Sequence, residues 1–129
     1  MVNKNGFLLP QEIEVFYVIP TIRRYLAVYM KSGGLKQSRI AELLQIDRAA
    51  VSQYISKKRG AKVKFNKSIL EEISKSASNI DDKFSVLREI QRLLRVVKDS
   101  GELCRIHRQF CNVTEQCRPV LVNCCEDRK

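Results

Sequence analysis

Glycine and proline are scarce in this chain, which contains five and three of them among 129 residues. Both residues interrupt regular structure and dominate turns, so few breaks are expected between helices. The alternation of apolar and polar residues that is typical of half-buried strands is also missing. These two absences predict an all-α fold.

The common catalytic signatures are missing as well. The chain has one histidine, no Gly-rich phosphate loop, no Gly-x-Ser-x-Gly motif and no paired carboxylates in an apolar setting. These patterns mark phosphate-handling, nucleophilic and acid–base enzymes. Cys104 and His107 could form a nucleophile and base, but their basic surroundings offer no evident oxyanion donor. We therefore predict that the protein is not an enzyme.

No apolar run approaches the roughly 20 residues of a membrane span. The first residues, MVNKNGFLLPQE, lack the basic start and long apolar core of a secretory signal. We expect a cytoplasmic protein without a membrane partner. Its cysteines are then expected to be reduced or metal-bound rather than paired in disulfides.

The charge is strongly positive, with 24 lysines and arginines against 14 acidic residues and a formal net charge of +10. Such a surplus favours a polyanionic partner, nucleic acid first and an anionic membrane surface second. Between Lys36 and Lys64, eight basic residues stand against Glu42 and Asp47 alone. A merely solvated surface would more often mix the two signs.

Residues 35–60 contain two short helical patterns. The apolar positions are Leu35, Ile40, Ala41 and Leu44 in the first, and Ala50, Val51, Tyr54 and Ile55 in the second. Spacings of three and four place each set on one helix face. The intervening residues 45–47 permit only a tight turn, and Asp47 is a good N-cap for the second helix. The pattern predicts a helix-turn-helix at residues 36–57, although an ordinary helical hairpin in an all-α core would look similar.

Exposed side chains separate these two interpretations. If the apolar set of the second helix turns inward, short or donor-bearing side chains suited to base edges are left outside. They are Arg48, Ala49, Ser52, Gln53 and Ser56. Gln37 and Ser38 open the first helix, where a side chain and free backbone N–H groups can hold a phosphate. The basic run Lys57, Lys58 and Arg59 follows the second helix. The predicted partner is double-stranded DNA.

This segment, LKQSRIAELLQIDRAAVSQYISKKRG, closely resembles the XRE family, the lambda repressor and Cro type of helix-turn-helix. The resemblance includes Gln37 at the start of the first helix, the small Ala41 inside it, and Val51 beneath the second. Gln45 departs from it, because the family usually has glycine in the turn, and a different backbone is expected there. The resemblance implies a lambda-repressor-like bundle in a sequence-specific DNA-binding regulator. The DNA contacts it implies are Gln37, Arg48, Ala49, Ser52 and Gln53.

The wider context, from PQEIEVFYVIPTIRRYLAVYM onward, resembles a small archaeal group of predicted transcriptional regulators with a cysteine-containing tail. That group tends to carry a further cysteine pair before its tail, where this chain has residues 87–92 without cysteine. The resemblance is strong over the first half of the chain and weak over the tail.

A helix-turn-helix domain is predicted at residues 1–78, and a C-terminal helical segment at 79–129. Pro20 divides the first apolar region into two helices or kinks one. Asn66 or Ser68 can cap a further helix, and Asp81 and Asp82 start a longer one that reaches about Asp99. The longer helix has a wide apolar stripe near heptad spacing: Ile80, Phe84, Leu87, Ile90, Leu94 and Val97. The stripe packs on the chain's own core, forms a homodimer interface, or does both.

All the cysteines lie in the tail. With the single histidine they give the candidate metal ligands Cys104, His107, Cys111, Cys117, Cys124 and Cys125. On a helix, Cys104, His107 and Cys111 share one face, and such soft ligands suit zinc or an iron–sulfur cluster. However, no Cys-x-x-Cys pair is present. Redox-active thiols and buried structural cysteines therefore stay open as alternatives.

Three functions from different classes follow. The first is a homodimeric transcription regulator that binds DNA. In the second, the same regulator is switched by a metal or by the redox state of its cysteines. The third is a protein-interaction module, such as an antitoxin or a recruiter, whose long apolar helix binds another protein.

Overall fold

The computed structural model describes residues 8–110, which fold into helices and turns and contain no strand in that range. The α-helices are α1 (Pro10–Ile13), α2 (Ile19–Ser32), α3 (Gln37–Leu44), α4 (Arg48–Ile55), α5 (Lys67–Ser78), α6 (Lys83–Asp99) and α7 (Glu102–Phe110). A π-helix, Glu14–Val18, joins α1 to α2. The all-α prediction is confirmed for these residues. None of the described helices is both long and apolar enough to cross a bilayer.

One helical path runs from Pro10 to Ser32 and widens into the π-helix just before Pro20. Proline cannot donate a backbone hydrogen bond, and its ring crowds the carbonyl four residues earlier. In the π-helix the Ile19 N–H reaches back five residues to the Glu14 carbonyl. The hydroxyl of Thr21 donates to the Tyr17 carbonyl at 2.7 Å. The chain therefore passes Pro20 by a wider turn rather than by a break.

Helices α2, α3 and α4 end in the same backbone motif. A residue with positive φ follows each of them: Gly34 at 103°, Gln45 at 58° and Lys57 at 67°. The next N–H then donates to the carbonyl five residues back, as Ile46 does to Ala41 at 3.1 Å. This is the Schellman motif, which satisfies the last carbonyls of a helix. Gln45 thus takes the left-handed conformation that glycine favours, so no different backbone is needed at this corner.

A single hydrophobic core runs through the described residues, with α2 in contact with α3, α4, α5 and α6. Its centre includes the fully buried Ile22 and Leu26 of α2. Leu93 of α6 and Ile106 of α7 are equally buried and belong to the same core. The packing is therefore shared across the predicted domain boundary between residues 78 and 79.

Helix α6 begins where the sequence predicts, because the Asp82 carboxylate accepts a 2.7 Å hydrogen bond from the Ser85 N–H. Its apolar stripe is divided between core and solvent. Ile80 and Val97 of the stripe are buried, whereas 67% of Phe84 and 62% of Leu87 stay exposed. The side of α6 that carries Phe84 and Leu87 has no cover within residues 8–110.

Candidate nucleic-acid interface

Helices α3 and α4 with the turn between them, residues 37–55, are referred to below as the α3–α4 unit. The Asp47 carboxylate accepts a 2.7 Å hydrogen bond from the Ala50 N–H, so α4 has the predicted N-cap. Ala50, Val51 and Tyr54 are buried, as their spacing predicts. The orientation of α4 is therefore fixed by its inner face and by its cap.

The outward face of α4 carries the side chains that the sequence assigns to base contacts. Arg48, Ala49 and Ser52 are exposed, and Gln53 is half-buried. An arginine can donate two hydrogen bonds to guanine, and a glutamine can pair with adenine. The small Ala49 and Ser52 leave room for this face to approach a partner closely.

Gln37 and Ser38 lie at the start of α3, half-buried and exposed respectively. The Ser52 hydroxyl donates a hydrogen bond of 3.1 Å to the Gln37 side-chain oxygen. This bond links the first residue of α3 to the outer face of α4. Since the Gln37 oxygen is used, its amide nitrogen remains the donor that can reach a phosphate or base.

A cationic rim, Lys57, Lys58 and Arg59, follows directly on α4, and all three side chains are exposed. The N–H groups of Lys58 and Arg59 both donate to the Gln53 carbonyl, at 2.8 and 3.2 Å. The Arg59 guanidinium lies 5.7 Å from the centre of the Tyr54 ring. The rim therefore has a defined position beside the outward face of α4.

Few of the positive charges on and around the α3–α4 unit are neutralised by ion pairs. Of the eight basic residues between Lys36 and Lys64, Arg39 alone has a carboxylate within 4.0 Å in the described part of the chain, from Glu42 at 2.6 Å. A second guanidinium nitrogen of Arg39 donates to the Asp81 carbonyl at 3.2 Å, which ties α3 to the residues just before α6. The remaining cations leave the α3–α4 unit and its rim strongly positive.

The candidate metal ligands are placed differently. Cys104 and His107 lie on α7 and are both buried, and Cys104 is disulfide-bonded. This differs from the expectation of a reduced or metal-bound thiol, since a disulfide sulfur offers no thiolate to a metal. Cys111, Cys117, Cys124 and Cys125 lie outside the described residues. Within residues 8–110, no group of three or more His, Cys, Asp or Glu side chains could hold a metal ion.

His107 has a structural partner at the other end of the described chain. Its Nε2 lies 2.7 Å from the Leu8 carbonyl oxygen. A carbonyl can only accept, so Nε2 carries the hydrogen and donates it. Next to this bond, the rings of Tyr17 and Phe110 stack at 3.9 Å between centres and 8° between planes. Together these contacts hold α7 against the π-helix and the start of the described chain.

A cavity of about 380 Å³, which no motif in the sequence indicates, lies between the π-helix and residues 57–62. It is lined by Phe16, Tyr17, Pro20, Thr21 and residues 57–62. The one hint in the sequence was a glycine, Gly60, directly after the basic run. In the structure Gly60 has a φ of 72°. A Cβ at that position would lie 2.4 Å from the Pro20 carbonyl oxygen, so the backbone touches α2 where glycine stands.

No family model matches the chain, and no curated protein or solved structure matches it either. The outward face of α4 offers donors and small side chains for base edges, and the cationic rim offers charge for phosphates.

Proposed function

We propose that the protein is a sequence-specific transcriptional regulator that binds double-stranded DNA as a homodimer. In this proposal the α3–α4 unit acts as a helix-turn-helix of the lambda repressor type, with α4 in the major groove. Arg48, Ser52 and Gln53 read base edges, and Ala49 packs against a thymine methyl group. The phosphate contacts come from Gln37, Ser38 and the cationic rim.

The observation that carries this proposal is the exposed face of α4 beside a cationic rim without ion pairs in the described chain. A hairpin that served only the core would need the inner face of α4 alone. Its outer face could then carry mixed charges, whereas here Arg48 is accompanied by short polar and small residues. DNA recognition accounts for both the composition of this face and the sign of its surroundings.

The exposed side of α6 supports the homodimer. Phe84 and Leu87 are three residues apart, so they lie on the same side of the helix and form an apolar patch. The bond from Arg39 to the Asp81 carbonyl places α3 next to the start of this helix. A second copy on this patch would hold the two α4 helices at a fixed spacing. Two half-sites on one side of DNA require about 34–36 Å.

Selection of bound sequences from a random DNA library tests DNA recognition. One sequence should be enriched, and Arg48→Ala should weaken its binding by about 1–3 kcal/mol while random DNA is little affected. Lys58→Ala should weaken both equally and lower the salt dependence of binding by about one ion. Lys75→Ala on α5, outside the rim, is the matched control. An equal loss on both DNAs for Arg48→Ala would refute base reading, and a library without enrichment would refute the regulator.

The same apolar patch favours a second candidate function, an interaction module such as an antitoxin or a recruiter. Large exposed apolar side chains are typical of protein-binding surfaces. Purification from cells separates the two candidates. A stoichiometric complex with a different protein, lost in Leu87→Glu, would support the interaction module. A homodimer free of other proteins would support the regulator.

A further inference from the structure

The cavity between the π-helix and residues 57–62 has walls that are fixed by backbone contacts. On one side, Lys57 takes a left-handed conformation, and Lys58 and Arg59 are tied to the Gln53 carbonyl. Gly60 then presses against the Pro20 carbonyl, closer than any side chain would allow. Because these contacts involve backbone atoms, they fix the backbone that carries the lining side chains. The backbone frame of the cavity is therefore preformed, as small-molecule sites usually are.

The charge of the cavity has one sign. Lys57, Lys58, Arg59 and Lys62 line it and are all exposed, and no acidic residue is among the lining residues. A cationic ligand would be repelled by these side chains. An anion would gain from every one of these side chains, since each can also donate hydrogen bonds to phosphate oxygens.

The opposite wall is aromatic. Phe16 lines the cavity and leaves 51% of its surface exposed, although it is a large apolar residue. Tyr17 beside it is buried and held by its stack on Phe110. A flat ring placed against Phe16 would cover the exposed apolar surface and gain stacking energy.

We propose that this cavity binds a nucleoside phosphate, with the base against Phe16 and the phosphate on the lysines and Arg59. The volume of about 380 Å³ lies at the lower end of the range for small-molecule sites. This volume is larger than a bare phosphate ion, and a phosphate alone would leave the exposed ring of Phe16 uncovered. The cationic rim is shared with the proposed DNA surface, so the ligand and DNA compete for it. This competition rests on the proposed function, whereas the binding of the ligand does not.

Calorimetric titration of the full chain with adenosine 5′-monophosphate tests the ligand site. The nucleotide should bind at least tenfold more tightly than either inorganic phosphate or adenosine, which are the two halves of the proposed ligand. Equal affinities for the nucleotide and phosphate would overturn the role of the aromatic wall. Absence of any nucleotide binding at millimolar concentration would overturn the site.

Two neighbouring variants separate this site from general charge attraction. Phe16→Ala should weaken nucleotide binding at least fivefold and leave phosphate binding unchanged. Val15→Ala is the matched control, because Val15 is 59% exposed on the same π-helix but does not line the cavity. Lys62→Gln should weaken the binding of both the nucleotide and phosphate. Equal nucleotide affinities for the Phe16 and Val15 variants would contradict the proposal.

Competition is measured by adding the nucleotide to a fluorescently labelled DNA duplex bound to the protein. The nucleotide should release the duplex at concentrations at which inorganic phosphate of equal ionic strength does not. Nucleotide binding without release would overturn the competition and leave the ligand site standing. If the protein binds no duplex at all, the proposed function fails, and the calorimetric titration still decides whether the cavity is a site.

Discussion

The hydroxyl of Ser52 on α4 donates to the side-chain oxygen of Gln37, the first residue of α3, at 3.1 Å. Both residues are candidate DNA contacts, and the hydrogen bond restrains the two side chains relative to each other. A residue that is held in place before binding loses less conformational entropy when the complex forms. The two side chains are therefore expected to act on DNA as a pair.

A double-mutant cycle tests this coupling. Ser52→Ala and Gln37→Ala should each weaken binding to the selected DNA. The loss in the double variant should differ from the sum of the two single losses by a coupling energy of about 0.5–1 kcal/mol. The free energy of unfolding should change by less than about 0.5 kcal/mol, because the bond is exposed. Ser38→Ala combined with Ser52→Ala is the control pair and should be additive. Additive effects of the Gln37 and Ser52 variants on DNA affinity would contradict the coupling.

Replacement of Gln45 by glycine should stabilise the protein. A side chain at a φ of 58° costs about 1–2 kcal/mol. Glycine removes this strain but loses the 2.9 Å bond from the Gln45 amide to the Glu42 carbonyl. We expect Gln45→Gly to raise the free energy of unfolding by about 0.5–1 kcal/mol, measured in urea. Glu71→Gly, in the exposed interior of α5, should instead lower it by about 0.5–1 kcal/mol. A loss in both variants would show that Gln45 is unstrained.

Glu89 on α6 is buried and should make stability depend on acid pH. Burial alone would raise the pKa of this carboxyl, but hydrogen bonds from Ser76, Arg92 and Arg88 together bring the pKa below its ordinary value of 4.5. The two shortest of these bonds are from Ser76 at 2.7 Å and from Arg92 at 3.2 Å. A carboxyl with a lowered folded pKa stabilises the protein above about pH 4.5, and this stability is lost as the pH falls through the folded pKa.

At pH 7, Glu89→Gln should therefore lower the free energy of unfolding by about 1–2 kcal/mol, and the difference from the unmodified protein should shrink below pH 4. Glu14→Gln provides a control of opposite sign. Burial raises the pKa of Glu14, with Lys98 opposing it, so its ionised form costs stability at neutral pH. Glu14→Gln should be neutral or stabilising at pH 7. A difference for Glu89→Gln that stays constant with pH would contradict this account.

The patch on α6 predicts the oligomeric state. Phe84→Glu should convert a dimer to a monomer in analytical ultracentrifugation, because the variant places a charge at the apolar centre of the proposed interface. The spectroscopic signature of the folded helices should stay the same, since Phe84 makes little contact with the core. Val15→Glu should leave the dimer intact, because Val15 is an apolar residue of similar exposure (59%) on the π-helix, away from the patch. A dimeric Phe84→Glu variant would remove this patch from the interface.

The helices could be predicted from local signals, because caps and apolar spacing act within a few residues. Asp47, Asn66 and Asp82 all cap the helices that follow them, as their positions in the sequence suggest. The exposure of α4 followed from the same spacing. The side of α6 that meets the core could not be decided, because its apolar stripe is too wide to select one face.

The cavity could not be predicted from the sequence, because its walls come from distant parts of the chain. Its walls, Phe16 and residues 57–62, are brought together only when Gly60 packs against Pro20. No local spacing relates these positions. Similarly, the candidate metal ligands Cys104 and His107 are both on the buried side of α7, where Cys104 is disulfide-bonded and His107 bonds to the Leu8 carbonyl.

The bond between His107 and Leu8 joins residues that are 99 positions apart. We expect contacts of this span to form late, because closing a long loop costs more entropy than joining neighbouring residues, as in the α3–α4 unit. During synthesis, α1 and the π-helix emerge before α7, so they stay uncovered until α7 follows. We therefore expect a nascent chain to present its positively charged surface to polyanions before its own core is closed.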